Sequence, residues 1–437
     1  MKIIDTQGLD AQALDAVLAR PLMESNQQLR DSVAESIAAV RQGGDQAVIE
    51  LGTRFDGRPP ENLLATADEL AAAADQLPAD LLAAIDQAID TVGRFHAAGK
   101  PDDLLVETAP GVVCEARWRA LDPVGLYVPA GTAPLPSTAI MLAVPARLAG
   151  CQNIVLATPP DKEGRADAAV LAIAHRLGID TVLVAGGAQA VAAMAYGTES
   201  VPRVAKIFGP GNRCVAEAKR QVAESASGAA MDLPAGPSEV MVIADDSANA
   251  DFVAIDLLSQ AEHGPDSQVF LVTPSQTLAD QVVEAVERLR RTLPRADTAA
   301  LALEHGAILK VESLDDAVSV ANRYAAEHLI IACDQAQALC ENVTTAGSVF
   351  LGHYTPESLG DYISGTNHVL PTGGWARSRA GLSVTDFMRR MTVQTASPDG
   401  LKNLGPHGAR LAAHEGLDAH RLAIDLRLQA LEQAGQP

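Results

Sequence analysis

The chain has 437 residues, enough for two or three domains. Its formal net charge is −22 and no run of lysine and arginine interrupts that acidity, so we expect no nucleic-acid partner. The five cysteines are scattered without a Cys-x-x-Cys pair, and the longest apolar run, residues 139–146, is far too short to span a membrane. The amino terminus also lacks the apolar stretch of a secretory signal, which favours a cytoplasmic protein that acts on small molecules.

The first hundred residues are expected to be mainly helical, because segments 28–40 and 79–89 repeat apolar residues with the helical period. The pattern then changes to a period of two over residues 112–120. Apolar and small side chains at even positions alternate there with Glu115, Arg117 and Arg119, which predicts a half-exposed strand.

From residue 121 onward, short β-branched runs alternate with helical patterns. The predicted strands are residues 153–157, 181–185, 204–208, 240–244, 268–272, 307–311 and 328–332. Such alternation predicts parallel α/β sheets, here in two nucleotide-binding-like units. The Pro/Gly-rich residues 369–377 are typical of a linker, and a mostly helical tail of about sixty residues follows. That tail is too short to bury a core alone and should dock on a larger body.

Residues 259–265, Ser-Gln-Ala-Glu-His-Gly-Pro, end one of the predicted helices. Gln260 and His263 are three residues apart and therefore share a helix face, while the Gly-Pro pair stops the helix. An amide oxygen and an imidazole so placed could begin a metal site, if His, Asp or Glu arrives from elsewhere. The alternative is a histidine that only caps a helix carboxyl terminus.

A glycine turn, Gly-Pro-Gly-Asn at residues 209–212, lies between a predicted strand and a predicted helix. It is half of a dinucleotide-binding fingerprint, since Cys214 occupies the third glycine position. Such a turn at a helix amino terminus can cradle a phosphate, and it can equally be only a tight turn.

Glu327 and His328 end a predicted helix and begin a predicted strand. A carboxylate and an imidazole at one end of a sheet could serve as a pair of proton acceptors; the alternative is a capping histidine beside a solvated glutamate. Four further residues, Asp361, His368, Glu415 and His420, lie in or after loop-rich sequence and could reach the same site if the tail docks there.

Seven motifs, in order along nearly the whole chain, make it resemble the histidinol dehydrogenase family. They are Gly-Leu-Tyr-Val-Pro at 125–129, Gly-Gly-Ala-Gln-Ala at 186–190, Ile-Phe-Gly-Pro-Gly-Asn at 207–212, Pro-Ala-Gly-Pro-Ser-Glu at 234–239, the 259–265 segment, Ala-Glu-His-Leu at 326–329 and Gly-Thr-Asn-His-Val-Leu-Pro at 365–371. Several of these motifs are long, which makes the resemblance specific.

The resemblance implies an α/β fold with two Rossmann-like parallel-sheet domains and small helical segments at both termini, the last exchanged across a homodimer. It divides the chain into an amino-terminal helical segment, 1–26, and a first Rossmann-like domain, 27–126 with 239–382, that carries most of the zinc and catalytic site. Residues 127–238 form the NAD-binding domain, and the tail, 383–437, completes the partner's site.

The resemblance also implies the chemistry, the oxidation of L-histidinol to L-histidine through the aldehyde in two NAD-dependent steps. It places one zinc ion per subunit on Gln260, His263, Asp361 and His420. The same carry-over gives catalytic, substrate-binding and cofactor-binding sets. The catalytic pair is Glu327 and His328, the substrate-binding residues are Ser238, Gln260, His263, His328, Asp361, His368, Glu415 and His420, and the cofactor-binding residues are Tyr127, Gln189 and Asn212.

Three other functions are compatible with the same residues. A homologue could oxidise another small amino or sulfonated alcohol; a zinc hydrolase could use metal-activated water with Glu327 as the base. A binding protein could keep the metal without the chemistry. A rise in NADH absorbance on adding histidinol and NAD distinguishes a dehydrogenase from the last two.

Overall fold

The computed structural model describes residues 1–21, 27–57, 59–130, 134–233 and 236–434, so the first two positions of the 234–239 motif lie outside the described residues. The strands are β1 Lys2–Asp5, β2 Leu104–Ala109, β3 Val112–Ala120, β4 Val124–Tyr127, β5 Ile154–Thr158, β6 Thr181–Val184, β7 Lys206–Phe208, β8 Ala230–Met231, β9 Glu239–Ala244, β10 Gln268–Thr273, β11 Ala307–Lys310, β12 His328–Ala332, β13 Ser348–Leu351 and β14 Met388–Ala396. The helices are α1 Ala11–Val17, α2 Gln27–Asp56, α3 Ala67–Ala72, α4 Ala79–Ala98, α5 Pro136–Ala149, α6 Ala168–Arg176, α7 Gly187–Tyr196, α8 Arg213–Glu224, α9 Ala250–Ala261, α10 Gln276–Arg290, α11 Ala296–Glu304, α12 Leu314–Tyr324, α13 Ala336–Cys340, α14 Glu357–Tyr362, α15 Pro398–His414 and α16 Asp418–Ala434.

The larger sheet has six parallel strands in the order β1-β11-β10-β9-β12-β13. Its three central strands, β10, β9 and β12, are buried along their whole length. Such strands are continuous apolar runs because helices cover both faces of a parallel sheet. Helices α9, α10 and α11 cover one face, and α1, α12 and α13 cover the other.

The second sheet has five parallel strands in the order β6-β5-β4-β7-β8. Helices α2, α7 and α8 pack on one face, while α3, α4, α5 and α6 pack on the other. The expected pair of parallel α/β sheets is therefore confirmed.

The helices before residue 100 belong to a different body from the one expected. Residues 27–126 were expected in one domain with residues 239–382, yet α2 buries Val33, Ile37 and Val40 against the helices of the five-stranded sheet. Helix α4 likewise buries Ile85 and Val92 against α5. An amphipathic helix shows which of its faces is buried but not which sheet it covers, so sequence alone did not place these helices.

Both chain termini contain strands that were not predicted. The amino-terminal segment is not wholly helical, because β1 forms the edge of the six-stranded sheet beside β11. The tail begins with β14, which pairs antiparallel with β3 of the same chain in a three-stranded sheet of order β14-β3-β2. The strand predicted at 112–120 is confirmed as β3.

Beyond β14 the tail is loosely attached to its own chain. Helices α15 and α16 pack on each other, and no residue of α16 is buried. Their leucines are largely exposed, with Leu411 at 66% and Leu426 at 60%. Separately, no helix in the described ranges is long and apolar enough to cross a membrane.

Candidate active site

The site is built around the amino end of β12, where the chain turns from helix to strand. After α12 ends, Ala325 adopts a left-handed backbone conformation with φ of 56°, and Glu327 and His328 follow as the strand begins. Both side chains are buried, and His328 Nδ1 lies 3.7 Å from Glu327 Oε2. The two neighbours in sequence thus reach one site, as one of the two interpretations expected, and the solvated-glutamate alternative is wrong.

Glu239, at the amino end of the adjacent strand β9, holds this pair in place through its backbone. Its N–H donates to Glu327 Oε2 at 2.9 Å, and its carbonyl oxygen lies 3.2 Å from His328 Nδ1. Its own carboxylate is clamped by Arg20, whose Nε and Nη2 reach the two oxygens at 2.6 and 2.9 Å, and by the N–H of Gly373 at 2.8 Å. The stretch that was expected to be a linker is therefore packed against the site.

Gln260 and His263 enter from the carboxyl end of α9. Asn249 caps the start of that helix through its side chain, and the helix ends just before His263. Gln260 is buried, and its Nε2 lies 3.1 Å from His328 Nδ1, while its Oε1 is buried without a hydrogen-bond partner in the described residues. His263 is exposed in the wall of a pocket of about 360 Å³ that Ser238 and Asn212 also line.

Asp361 and His368 close the other side of the cluster. Asp361, in α14, places Oδ1 at 3.3 Å from His328 Nε2. His368 donates from Nδ1 to the carbonyl oxygen of Asp361 at 2.8 Å, and its Nε2 lies 3.3 Å from the hydroxyl of Thr138 in α5. The last contact ties the cluster on the six-stranded sheet to a helix of the five-stranded sheet.

Burial and neighbouring charges shift the acid–base properties of the central pair. Burial raises the pKa of Glu327 to about 8, against the opposing effect of His328. Burial lowers the pKa of His328, but the carboxylates of Glu327, Asp361 and Glu357 outweigh it and raise that pKa to about 10. Burial also raises the pKa of Asp361, and its contacts with His328 and His368 more than offset this and lower it. A carboxyl and an imidazole in such surroundings can exchange protons with a bound substrate.

Glu357 is a member of the cluster that sequence reasoning missed. It is 1% exposed, accepts a hydrogen bond from Ser259 Oγ at 2.5 Å, and leaves Oε2 buried without a partner among the described residues. Burial raises its pKa to about 7. Its spacing of four residues from Asp361, on one face of a short helix, is the signal that could have indicated it.

The three expected cofactor residues meet at the carboxyl edge of the five-stranded sheet. Tyr127 ends β4, and its hydroxyl accepts the N–H of Gly187 at 3.0 Å. Asn212 caps α8 by accepting from the first free N–H groups of that helix. Tyr127, Gln189 and Asn212 line one pocket of about 350 Å³, together with residues of α2. This is the sheet edge where open α/β folds bind nucleotides.

Glu415 and His420 do not reach the cluster within one chain. Both are exposed, at the carboxyl end of α15 and near the start of α16, and no contact joins either to the cluster in the described ranges. Across those ranges, no three His, Cys, Asp or Glu side chains are grouped so that they could hold a metal ion. Three of the four expected zinc ligands are near one another, and the fourth lies elsewhere.

A Rossmann-like sheet with a pocket at its carboxyl edge, in one chain with a buried acid–base pair, is typical of nucleotide-dependent dehydrogenases. The family model described as histidinol dehydrogenase matches residues 19–428. The chain belongs to the histidinol dehydrogenase family, whose members are NAD-dependent oxidoreductases.

Individual relatives agree along nearly their entire length. A histidinol dehydrogenase from Vibrio parahaemolyticus is 51% identical over 433 residues, which cover 99% of this chain and 100% of the relative. One from Xanthomonas euvesicatoria is 53% identical over 428 residues, covering 98% and 99%. The crystal structure of histidinol dehydrogenase from Elizabethkingia anophelis superposes with a TM-score of 0.94 at 40% identity, covering 99% of each chain. The predicted family and fold are confirmed, and the function follows as a dehydrogenase of histidinol in histidine biosynthesis.

Proposed function

We propose that each active site binds one zinc ion and oxidises L-histidinol to L-histidine through L-histidinal, reducing two molecules of NAD. The observation that carries this proposal is the buried Gln260 Oε1, which has no partner in the described residues, on a side chain that contacts His328, itself in contact with Asp361. A buried polar atom without a partner is costly, and a ligand that approaches it removes that cost.

The donor set fits zinc. Gln260 Oε1, the His263 imidazole and the Asp361 carboxylate supply one neutral oxygen, one nitrogen and one anionic oxygen, and His420 of the partner subunit supplies the fourth ligand. Zinc has no redox chemistry, so it orients the substrate and withdraws charge from it when bound. A divalent cation beside His328 and Glu327 also opposes the rise in their pKa values.

His328 and Glu327 divide the proton transfers. In the first oxidation, His328 takes the hydroxyl proton as the carbon gives its hydride to NAD. Water then adds to the aldehyde. Glu327 takes the proton that this water loses, and His328 returns its proton to the former carbonyl oxygen, which completes the diol and leaves His328 neutral again. In the second oxidation, His328 takes a hydroxyl proton of the resulting diol as the second hydride leaves. The backbone of Glu239, which contacts both side chains, fixes their positions through the cycle.

NAD binds, in this proposal, with its phosphates near the glycine turn and with Tyr127, Gln189 and Asn212 around it. The support is the shared pocket at the carboxyl edge of the sheet. A second pocket extends from that turn to His263 and is lined by Asn212 and Ser238 as well. Ser238, in this pocket, and His368, beside Asp361, contact the substrate in this proposal.

Two subunits share each site, since Glu415 and His420 are too detached from their own cluster to act on it. Apolar side chains beside Asp361 in α14 are exposed in the single chain, Leu359 at 42% and Tyr362 at 59%. A second subunit that covers them with its α15–α16 pair would bring both tail residues to the substrate and bury leucines on each side. The five free cysteines fit a reducing cytoplasm.

Substitution of a zinc ligand tests the proposal. His263→Asn and Asp361→Asn should lose bound zinc and the NADH signal with histidinol, yet keep one cooperative thermal transition, because a core of this size does not need a metal to form. Zinc content by mass spectrometry, NADH absorbance and melting curves measure the three effects. His305→Asn, at an exposed histidine of the same body, is the control and should keep both metal and activity. Full activity after removal of all metal would refute the zinc assignment.

A further inference from the structure

A buried ion pair lies beneath the glycine turn and takes part in none of the proton transfers proposed for the reaction. Lys219, on α8, and Asp232, just after β8, have side chains that are only 3% and 2% exposed, and Lys219 Nζ contacts Asp232 Oδ1 directly. The desolvation cost of a fully buried pair of charges often exceeds the gain from their mutual attraction. Apolar residues of similar size would often serve stability as well, so the contacts that the pair makes decide its role.

Both charges are bound to the backbone of a single residue. Asp232 Oδ2 accepts the N–H of Gly209 at 2.7 Å, and Lys219 Nζ donates to the carbonyl oxygen of Gly209, also at 2.7 Å. The pair therefore satisfies both polar backbone groups of the first residue of the glycine turn. Hydrogen bonds to charged partners are the stronger ones, so this residue is held firmly.

Gly209 in turn contacts the wall of the cofactor pocket. Its φ is +117°, a conformation that side chains rarely adopt, and an added Cβ would lie 2.2 Å from the carbonyl oxygen of Tyr127. The backbone of Gly209 thus packs against that of Tyr127, and the chain reaches Asn212, the cap of α8, three residues later. A shift of Gly209 would displace two of the three proposed cofactor residues.

We propose that Lys219 and Asp232 are positioning residues for the cofactor: the ion pair holds Gly209 so that Tyr127 and Asn212 face the nucleotide in one fixed geometry. The proposal rests on the assignment of the 127–212 pocket to NAD. A purely structural pair would affect the free energy of unfolding alone, whereas a positioning pair also sets the affinity for NAD.

The double variant Lys219→Met/Asp232→Asn separates these roles. It leaves no unpaired buried charge, so its melting temperature should fall less than that of Lys219→Met alone. The substituted methionine side chain cannot donate, so the Gly209 carbonyl loses its partner. The dissociation constant for NAD should therefore rise roughly tenfold, the effect of about one hydrogen bond to a charged group. At saturating NAD, kcat should fall less than about threefold, and zinc content and histidinol affinity should not change.

Two controls and a second route keep the test decisive. Arg220→Met removes an ion pair with Glu217 on the same helix without touching Gly209, and should leave NAD binding unchanged. Asn212→Ala tests the pocket assignment itself; unchanged NAD affinity there would refute the assignment and not the ion pair's effect on the turn. If the double variant does not fold, Gly209→Ala displaces the same turn and should reproduce the tenfold loss. A folded variant of either kind with wild-type NAD affinity overturns the proposal.

Discussion

At the scale of single residues, the proposed catalytic pair, Glu327 and His328, lies where strands β9 and β12 begin. His328, which is 3% exposed, is approached by an amide, a backbone carbonyl and two carboxylates. In such surroundings each charge depends on the others, because low dielectric strengthens every electrostatic contact. The overall loss of activity in a variant therefore cannot distinguish the roles of Glu327 and His328. Measuring the rate of each oxidation step separately can distinguish them.

Glu327→Gln should impair the oxidation of added histidinal by about 10² to 10⁴, the usual contribution of a general base, and the oxidation of histidinol to the aldehyde by less than about tenfold. His328→Asn should impair both steps by that larger factor. Single-turnover NADH formation, started with either substrate, measures each step. Glu312→Gln, at an exposed carboxylate of the same body, should leave both intact. Equal losses for the two steps in Glu327→Gln would contradict this division.

The sequence could predict those site residues that are close together along the chain, but not those that only the fold brings together. Gln260 with His263, and Glu327 with His328, are neighbours in sequence and could be seen directly. Glu357 had only its spacing of four residues from Asp361 as a signal, and its unpartnered oxygen is seen in the structure alone. Glu239 had no such signal, because it acts through backbone contacts between strands that are far apart in sequence. The tail residues needed the family resemblance, and one chain does not bring them to the cluster.

At the scale of elements, the two sheets carry their functional residues at opposite edges. The cofactor residues follow the carboxyl ends of β4 and β7, in keeping with the usual rule for open α/β sheets. The catalytic pair instead lies at the amino ends of β9 and β12. Hydrophobic periodicity predicted the strands well, but it carries no information on which edges meet or on which sheet α2, α3 and α4 cover, because those depend on tertiary packing.

Helix α4 offers a test of that packing through His96, which is 2% exposed and has Nε2 without a hydrogen-bond partner in the described part of the chain. Burial lowers the pKa of His96 below the usual value of about 6.5 for histidine, with Asp386 opposing. The unfolded chain therefore takes up a proton first, and stability falls as the pH drops below about 6.5. The test compares pH values of roughly 8 and 5.5, which lie on either side of the usual histidine pKa. The melting temperature of the wild type should fall further between these two pH values than that of His96→Gln. His175→Gln, at an exposed position, should behave like wild type; identical slopes for His96→Gln and wild type would refute this.

At the scale of the whole molecule, the single chain leaves a large apolar surface exposed. Its α16 buries no residue, its tail leucines face outward, and β2 adds Leu104 and Leu105 at 59% and 66% exposure. Exposed apolar surface of this extent on a folded protein marks an interface. Two-fold symmetry would let each subunit cover the other's surface with the same elements.

Mixed subunits test whether sites are shared. The His328→Asn and His420→Asn variants are each expected to be inactive alone. In the test, equal amounts of the two variants are mixed, unfolded and refolded together. One site of each mixed dimer would carry both lesions and the other neither. Random pairing makes about half of the dimers mixed, so about a quarter of wild-type activity should return. Each variant refolded alone is the control. No recovery in the mixture would show that the tail serves its own chain.

The pairing of β14 with β3 over residues 388–396 fixes the start of the tail to its own chain, while α16 at the far end buries no residue. If sites are shared, a chain just released from the ribosome, or one that has lost its partner, lacks two substrate contacts and cannot start the first oxidation. No lone subunit could then make the reactive aldehyde and release it half-processed. Assembly itself would act as the safeguard against its escape, without any regulatory ligand.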